Sequence, residues 1–192
     1  MLEWDARYLQ IPLVNDLSRL ARNAAGGVVD YRAEAIRRFG FAILTDAAVQ
    51  GLLAYSPLLE VGAGACYWAH ELKIAGADII ATDPDPLSCV RFEPMKLWLE
   101  PERLTALEAI AKYPSRTLMM VWPSLRDSWA YDALEAYRGD RFIYCGEGWG
   151  GCTADDAFHE LLDRGWVEER NFDIPSWFGV NDYCSAYRRK IL

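Results

Sequence analysis

The segment Leu58-Leu59-Glu60-Val61-Gly62-Ala63-Gly64-Ala65-Cys66 restricts the choice of fold more than any other part of the chain. A short apolar run ends on two glycines one residue apart, and a helix-like stretch, Cys66–Ala75, runs from there to Gly76. Glycine adopts backbone angles that a side chain disfavours and lets a ligand approach the main chain closely. The helix that follows presents unpaired N–H groups at its start. A strand, a glycine turn and a helix in this order suit an open α/β sheet, where ligands sit outside the carboxyl ends of the strands. A second apolar run, Asp78–Asp83, comes next. It ends in Asp83, 19 residues after Gly64, where a carboxylate can accept hydrogen bonds from both ribose hydroxyls of an adenosine-bearing cofactor.

Downstream, strand-like and helix-like segments keep alternating. Arg103–Leu107 reads as a short third strand leading into helix Glu108–Lys112. Thr117–Trp122 is an almost wholly apolar fourth strand, followed by helix Trp129–Tyr137 and a fifth strand, Arg141–Cys145. Thr153–Arg164 reads as a helix, with Thr153 and Asp156 spaced as a capping box. Trp166–Asp173 and Tyr183–Arg188 are the last two strands, and a hairpin-like addition at one end of the sheet explains their position. Alternation of this kind implies a mostly parallel sheet, and near-continuous apolar strands agree because helices cover both faces. Upstream, residues 1–24 read as a partly amphipathic helix with Leu13, Leu17 and Leu20 on one side, broken by Gly26-Gly27. Further helices are expected over Tyr31–Phe39 and Ala47–Ala54, the latter capped by Thr45 or Asp46 and stopping before Pro57. Residues 87–100 read as a helical turn that becomes irregular.

A length of 192 residues fits one domain, so residues 1–192 are expected to form a single unit with residues 1–54 as an N-terminal helical extension. The net charge of −8 argues against nucleic acid as a partner, because such binding needs a basic face to displace counterions. Five cysteines, at 66, 89, 145, 152 and 184, form no Cys-x-x-Cys pair and are odd in number. Neither zinc nor a disulfide framework is expected; free thiols in a reducing cytosol are the simpler reading. Met-Leu-Glu-Trp-Asp does not open like a secretion signal, and no apolar run is long enough to span a bilayer. Oligomeric state has no signature in the sequence.

A dinucleotide fingerprint requires a third glycine where this chain has Tyr67, and that glycine permits close helix–strand packing. An NAD-dependent oxidoreductase is therefore the weaker reading. Glu60-x-Gly62-x-Gly64 followed by an acid at the end of the next strand resembles the cofactor motifs of class I S-adenosylmethionine (SAM)-dependent methyltransferases. The resemblance extends over roughly residues 40–190 and is closest to a poorly characterised subgroup. That subgroup's pattern resembles Gly62–Ala69, Trp122-Pro123-Ser124-Leu125, Gly146-Glu147, Gly151-Cys152-Thr153 and Phe158-His159 of this chain. Departures fall at Cys66, where the family often has glycine, and at Ser124 and Leu125, where the subgroup has proline and tyrosine. The resemblance implies a Rossmann-like fold with a seven-stranded, mostly parallel sheet and an antiparallel last strand. It also implies SAM as cofactor, held by Glu60, Gly62, Ala63, Gly64, Asp83, the adjoining Pro84, and Trp122.

For the methyl acceptor, a small molecule or a protein side chain, the candidates are Trp122, Ser124, Glu147, His159, Trp177 and Asn181. Trp122 ends the fourth strand, where nucleic-acid amino-methyltransferases carry a polar residue that holds the target amine; tryptophan offers no side-chain acceptor. Glu147 lies in the glycine-rich loop Gly146–Gly151 and is the candidate base, with Trp122 beside it as the other catalytic candidate. Packing or turn roles are open for all of these: His159 as a structural histidine, Glu147 as a loop acid, Asn181 as a turn former. Trp122, Glu147 and Trp177 are expected to face one cleft. A SAM-binding module without transfer activity is the alternative function.

Overall fold

Successive residues of a strand point to opposite faces, and the central strands of this chain are apolar at nearly every position. They therefore need a core on each side. The computed structural model, which describes residues 20–22, 28–86, 88, 97–177 and 179–191, has two such cores. Strands β3 (Leu58–Val61), β4 (Ile79–Thr82), β5 (Thr117–Val121) and β6 (Arg141–Glu147) run parallel. Leu58, Met119, Ile143 and Cys145 point into one core, whereas Leu59, Leu118, Met120, Phe142 and Tyr144 point into the other. The first core is closed by helices α1 (Tyr31–Phe39), α2 (Asp46–Leu52) and α3 (Tyr67–Ile74). Its counterpart is closed by α4 (Ala106–Lys112), α5 (Trp129–Ala136) and α6 (Asp156–Gly165). Full burial of each leucine or methionine stabilises the fold by about 1.5–3 kcal/mol.

The last two strands, β7 (Trp166–Phe172) and β8 (Asp182–Arg189), extend the sheet as an antiparallel hairpin. β8 lies between β6 and β7 and is antiparallel to both, giving a six-stranded order β4-β3-β5-β6-β8-β7. The sheet is thus mixed, with the antiparallel last strand expected. Chain order reverses at β3, whose neighbours are β4 and β5, so the crevice outside the carboxyl ends of β3 and β5 is the topological site for a ligand.

Four details differ from the sequence reading. Arg103–Leu107 is not a strand: a parallel bridge joins Thr82 to Glu102, and among the described residues six strands make the sheet instead of the expected seven. Thr105 caps α4 instead, accepting from the Glu108 amide while the Glu108 carboxylate accepts from the Thr105 amide. That capping box outweighs the weak strand propensity of so short a segment. The cap of α6 is Asp155, which accepts from the Phe158 amide at 2.8 Å, and not Thr153. Thr153 is buried, with its hydroxyl bonded to Tyr144 and to the Glu147 main chain. Near the N-terminus, Leu20–Arg22 (β1) pairs antiparallel with Val28–Asp30 (β2), so among the described residues of the extension the α-helices are α1 and α2. The proposed helix before Leu20, Gly26-Gly27 and most of 87–96 lie outside the described residues.

Candidate functional site

β3 stops at Val61 because Gly62 turns the chain with φ 66°, and Gly64 follows with φ 52°. A β-carbon on Gly62 would lie 2.8 Å from the Trp129 ring, so the turn is also sterically closed to larger residues. At Gly64 a β-carbon would meet no protein atom within 4 Å, because this position borders an open cavity. Cys66, where the family often has glycine, keeps the left-handed conformation at φ 61° and caps α3 without a side-chain bond. Its amide donates to Ala63 O at 2.8 Å, and its thiol is buried against Gly64 O at 3.5 Å. Adopting that conformation with a β-carbon costs on the order of 1 kcal/mol. Burial pushes the thiol pKa well up, with Glu60 and Asp83 adding to the shift, so Cys66 is an inert thiol.

Asp83 leaves the end of β4 and joins this loop. Its Oδ2 accepts from the Gly64 amide at 2.8 Å, and its Oδ1 accepts from the Asp85 amide at 2.8 Å. Each carboxylate oxygen has a second lone pair, so the bonds orient the group without exhausting it. Glu60 lies beneath the loop, 2% exposed, and its Oε2 has no hydrogen-bond partner. Burial pushes its pKa up to about 8; the Ala69 amide opposes this and the Asp83 charge adds to it. Near neutral pH Glu60 therefore carries a proton, and a cationic ligand would favour its release.

A cavity of about 250 Å³ opens over these groups. Glu60, Gly62, Ala63, Gly64 and Asp83 line it from β3 and β4, and Trp122 and Ser124 line it from the β5 side. Pro84, the seventh cofactor candidate, is exposed and is not a lining residue. Trp122 follows β5 with φ 52°, its amide donating to Cys145 O at 2.7 Å. Its ring stacks on Phe41 at 5.1 Å and 16°, and the Arg32 guanidinium sits 5.8 Å from the ring centre. Phe41 and the rest of Phe39–Ala42 also line the cavity, as do Tyr67, Trp68 and Asp85. The sequence reading singled out Tyr67 and Trp68 only within the Gly62–Ala69 pattern, and Phe39–Ala42 and Asp85 not at all. Asp85 and Tyr67 are signalled by their closeness to Asp83 and Gly64, but the α1–α2 connection has no motif and reaches the site only through tertiary packing.

The expected cleft of Trp122, Glu147 and Trp177 is not formed around this cavity. Glu147, His159, Trp177 and Asn181 are not among its lining residues. Glu147 is buried, with Oε2 accepting from the Cys152 amide and Oε1 from the Asn181 amide, both at 2.8 Å. Those bonds tie the loop after β6 to the start of β8 and turn the carboxylate inward. His159 is buried in α6, its Nε2 3.1 Å from Thr153 O. Trp177 is part of the core against α1–α3, and Asn181 is exposed apart from its bond to Glu147. Of the acceptor candidates, Trp122 and Ser124 line the cavity beside the glycine loop, and the other four are not among its lining residues. Among the described residues, no three His, Cys, Asp or Glu side chains cluster as metal ligands, and no helix is long and apolar enough to cross a membrane.

No family model matches the chain, and no curated protein matches it in sequence. Solved structures do. A Burkholderia thailandensis 1,6-didemethyltoxoflavin N1-methyltransferase, crystallised with its named substrate and S-adenosylhomocysteine, superposes with TM-score 0.51 at 15% identity, over 76% of this chain and 78% of that one. A SAM-dependent methyltransferase from Anabaena variabilis gives TM-score 0.48 at 11% identity, over 75% of this chain and 84% of that one. Magnesium protoporphyrin IX methyltransferase from Synechocystis, solved with SAM, gives 0.47 at 14% identity, over 76% and 77%. The glycine turn after β3, the acid after β4, the chain reversal at β3 and the inserted antiparallel β8 together identify the fold as that of the class I SAM-dependent methyltransferases.

Proposed function

We propose that the chain binds SAM in this cavity and passes its methyl group to a small-molecule or protein acceptor. One observation supports the reading above all: Asp83 and the glycine turn, joined by the Gly64 amide, line the same cavity at the switch point of the sheet. The residues fit such a cofactor. Space lies open above Gly64, Asp83 has free lone pairs for ribose hydroxyls, and the unpartnered Glu60 Oε2 suits a cationic methionine moiety. SAM supplies an electrophilic methyl; the chain's own part is to bind, to orient and to exclude water. In-line positioning of the acceptor accounts for most of such a rate gain, and the wall formed by Trp122, Phe41 and Ser124 is where positioning would occur. The didemethyltoxoflavin methyltransferase, by its name, acts on a ring compound, and an aromatic wall suits an acceptor of that kind.

Glu147 would not act as base from this position, since both its oxygens hold amides and it does not line the cavity. That same observation favours the second reading, a SAM-binding module without transfer. An NAD-dependent reading is opposed by Tyr67, whose buried side chain occupies the place where the dinucleotide fold needs glycine. Calorimetric titration with SAM and NAD tests the cofactor; binding in the micromolar range, about −8 kcal/mol, is expected for SAM alone. Formation of S-adenosylhomocysteine across an acceptor panel then separates the enzyme from the module. NAD binding with no SAM binding would sink the reading.

A further inference from the structure

Trp122 is held by more contacts than a packing residue needs. Its backbone is left-handed, Phe41 stacks on its ring and the Arg32 guanidinium approaches it, yet its buried indole Nε1 has no hydrogen-bond partner. Another buried group in the same region is also unpartnered: both carboxyl oxygens of Asp182, a residue 8% exposed. Buried polar groups without partners are rare and point to function. Sheet register places these two unpartnered groups beside one core. Asp182 lies opposite Glu147, and Cys184 opposite Cys145, in the β6–β8 ladder. Alternation puts Asp182 on the face of Cys184 and Ala186, the core against which Trp122 packs. The Trp122 amide is itself bonded to Cys145 O, two residues from Glu147. Glu147 is already engaged by the Cys152 and Asn181 amides, so the unpartnered carboxyl group on this side of the ladder is that of Asp182.

The electrostatics favour a pairing of the two groups. Burial raises the Asp182 pKa above the ordinary aspartate range and the Glu147 charge adds to the rise, while the Ser176 hydroxyl, the Asp182 amide and the Trp122 indole N–H oppose it. An N–H that lowers a carboxyl pKa is one that binds the ionised form.

We infer that Asp182 is a positioning residue for the acceptor wall: its carboxylate takes the indole N–H of Trp122 and sets the plane of that ring against Phe41. The inference deepens the methyltransferase reading and rests on it for its functional meaning, but the contact itself can be measured without SAM. A charge-assisted bond is the stronger form, so the hold on Trp122 tightens when Asp182 ionises. The groups acting on Asp182 are Glu147 and Cys145 from β6, Ser176 from the segment before β8, and Trp122 itself, with Cys184 beside it on β8. Arg32 acts on the indole from the α1 side.

The test uses the full chain labelled with nitrogen-15, in which the indole cross-peak lost in Trp122→Phe identifies Trp122. In the wild type this peak should move as pH crosses a midpoint above the ordinary aspartate range. Asp182→Asn, which keeps the shape and a neutral acceptor, should abolish the movement. Asp182→Leu should displace the peak at every pH; should that variant fail to fold, the Asn variant decides by itself. A Trp122 peak that does not titrate in the wild type, or that titrates equally in Asp182→Asn, overturns the inference. SAM titration of the same samples reads the cofactor independently: wild type that binds no SAM removes the methyltransferase reading while the indole result stands.

Discussion

Asp83 and Gly64 carry the sharpest consequences at the scale of single residues. Asp83 is buried, accepts two backbone amides and still has lone pairs toward the cavity. Asp83→Ala should weaken SAM binding by about 1.5–3 kcal/mol, the size of a charge-assisted hydrogen bond, as read by calorimetry on folded protein. Unchanged affinity would detach Asp83 from the cofactor. Gly64→Val should abolish SAM binding while leaving the far-UV spectrum near native. Its β-carbon points into open space, so the fold tolerates it, but φ 52° disfavours a β-branched residue and the side chain enters the ligand's volume. Normal binding by the valine variant would reduce the loop to a turn. The juxtaposition of the two residues was legible in the sequence because it depends on local backbone and on a spacing of 19 residues. Trp122 was legible as the end of a strand, but its left-handed backbone and its neighbours were not.

At the scale of elements, helix ends decided where the expectations held. Thr45 caps α2 by accepting from the Ala48 amide, as its position before the apolar pattern implies. Asp155 caps α6, and Asp155→Ala should lower unfolding stability by about 1 kcal/mol in denaturant titration. Asp156→Ala, on an exposed first-turn acid, should cost clearly less, since only the dipole interaction is lost. Equal losses would show that Asp155 does not act as the cap. Thr153 mimicked a cap in the sequence because a capping box is recognised by spacing alone, whereas the buried bonds of its hydroxyl to Tyr144 and Glu147 come from strands and loops that meet only after folding. Arg103–Leu107 failed as a strand for a related reason: Thr105 and Glu108 satisfy the start of α4 locally, and the segment's contact with the sheet edge is a bridge at Glu102.

For the molecule as a whole, the buried Glu60 makes stability depend on pH. Its pKa rises from 4.5 to about 8 on folding, chiefly through burial. The folded protein therefore binds the proton more tightly than the unfolded chain does. The associated stability is complete below pH 4.5 and declines as pH rises toward about 8, by at most about 1.4 kcal/mol per pH unit. Glu60→Gln should flatten this decline in melting temperatures measured across that window; an unchanged slope would mean that Glu60 is ionised throughout. A cationic ligand favours the carboxylate, so SAM affinity in the wild type should rise with pH over the same range, and the glutamine variant should lose that dependence.

Local physics decided much of this protein. Two glycines in register with an aspartate, apolar strands at regular intervals and short helices between them determined an α/β fold and placed the glycine loop at the strand ends, because strand and helix periods and glycine's backbone freedom act over a few residues. Tertiary structure decided the rest. It brought Phe41 from the α1–α2 connection onto Trp122, and it inserted β8 between β6 and β7. That insertion sets Asp182 opposite Glu147, whose own carboxylate is committed to two amides. Such pairings join residues far apart in the chain, and their energies depend on burial and strand register, which exist only once the sheet and both its cores have closed.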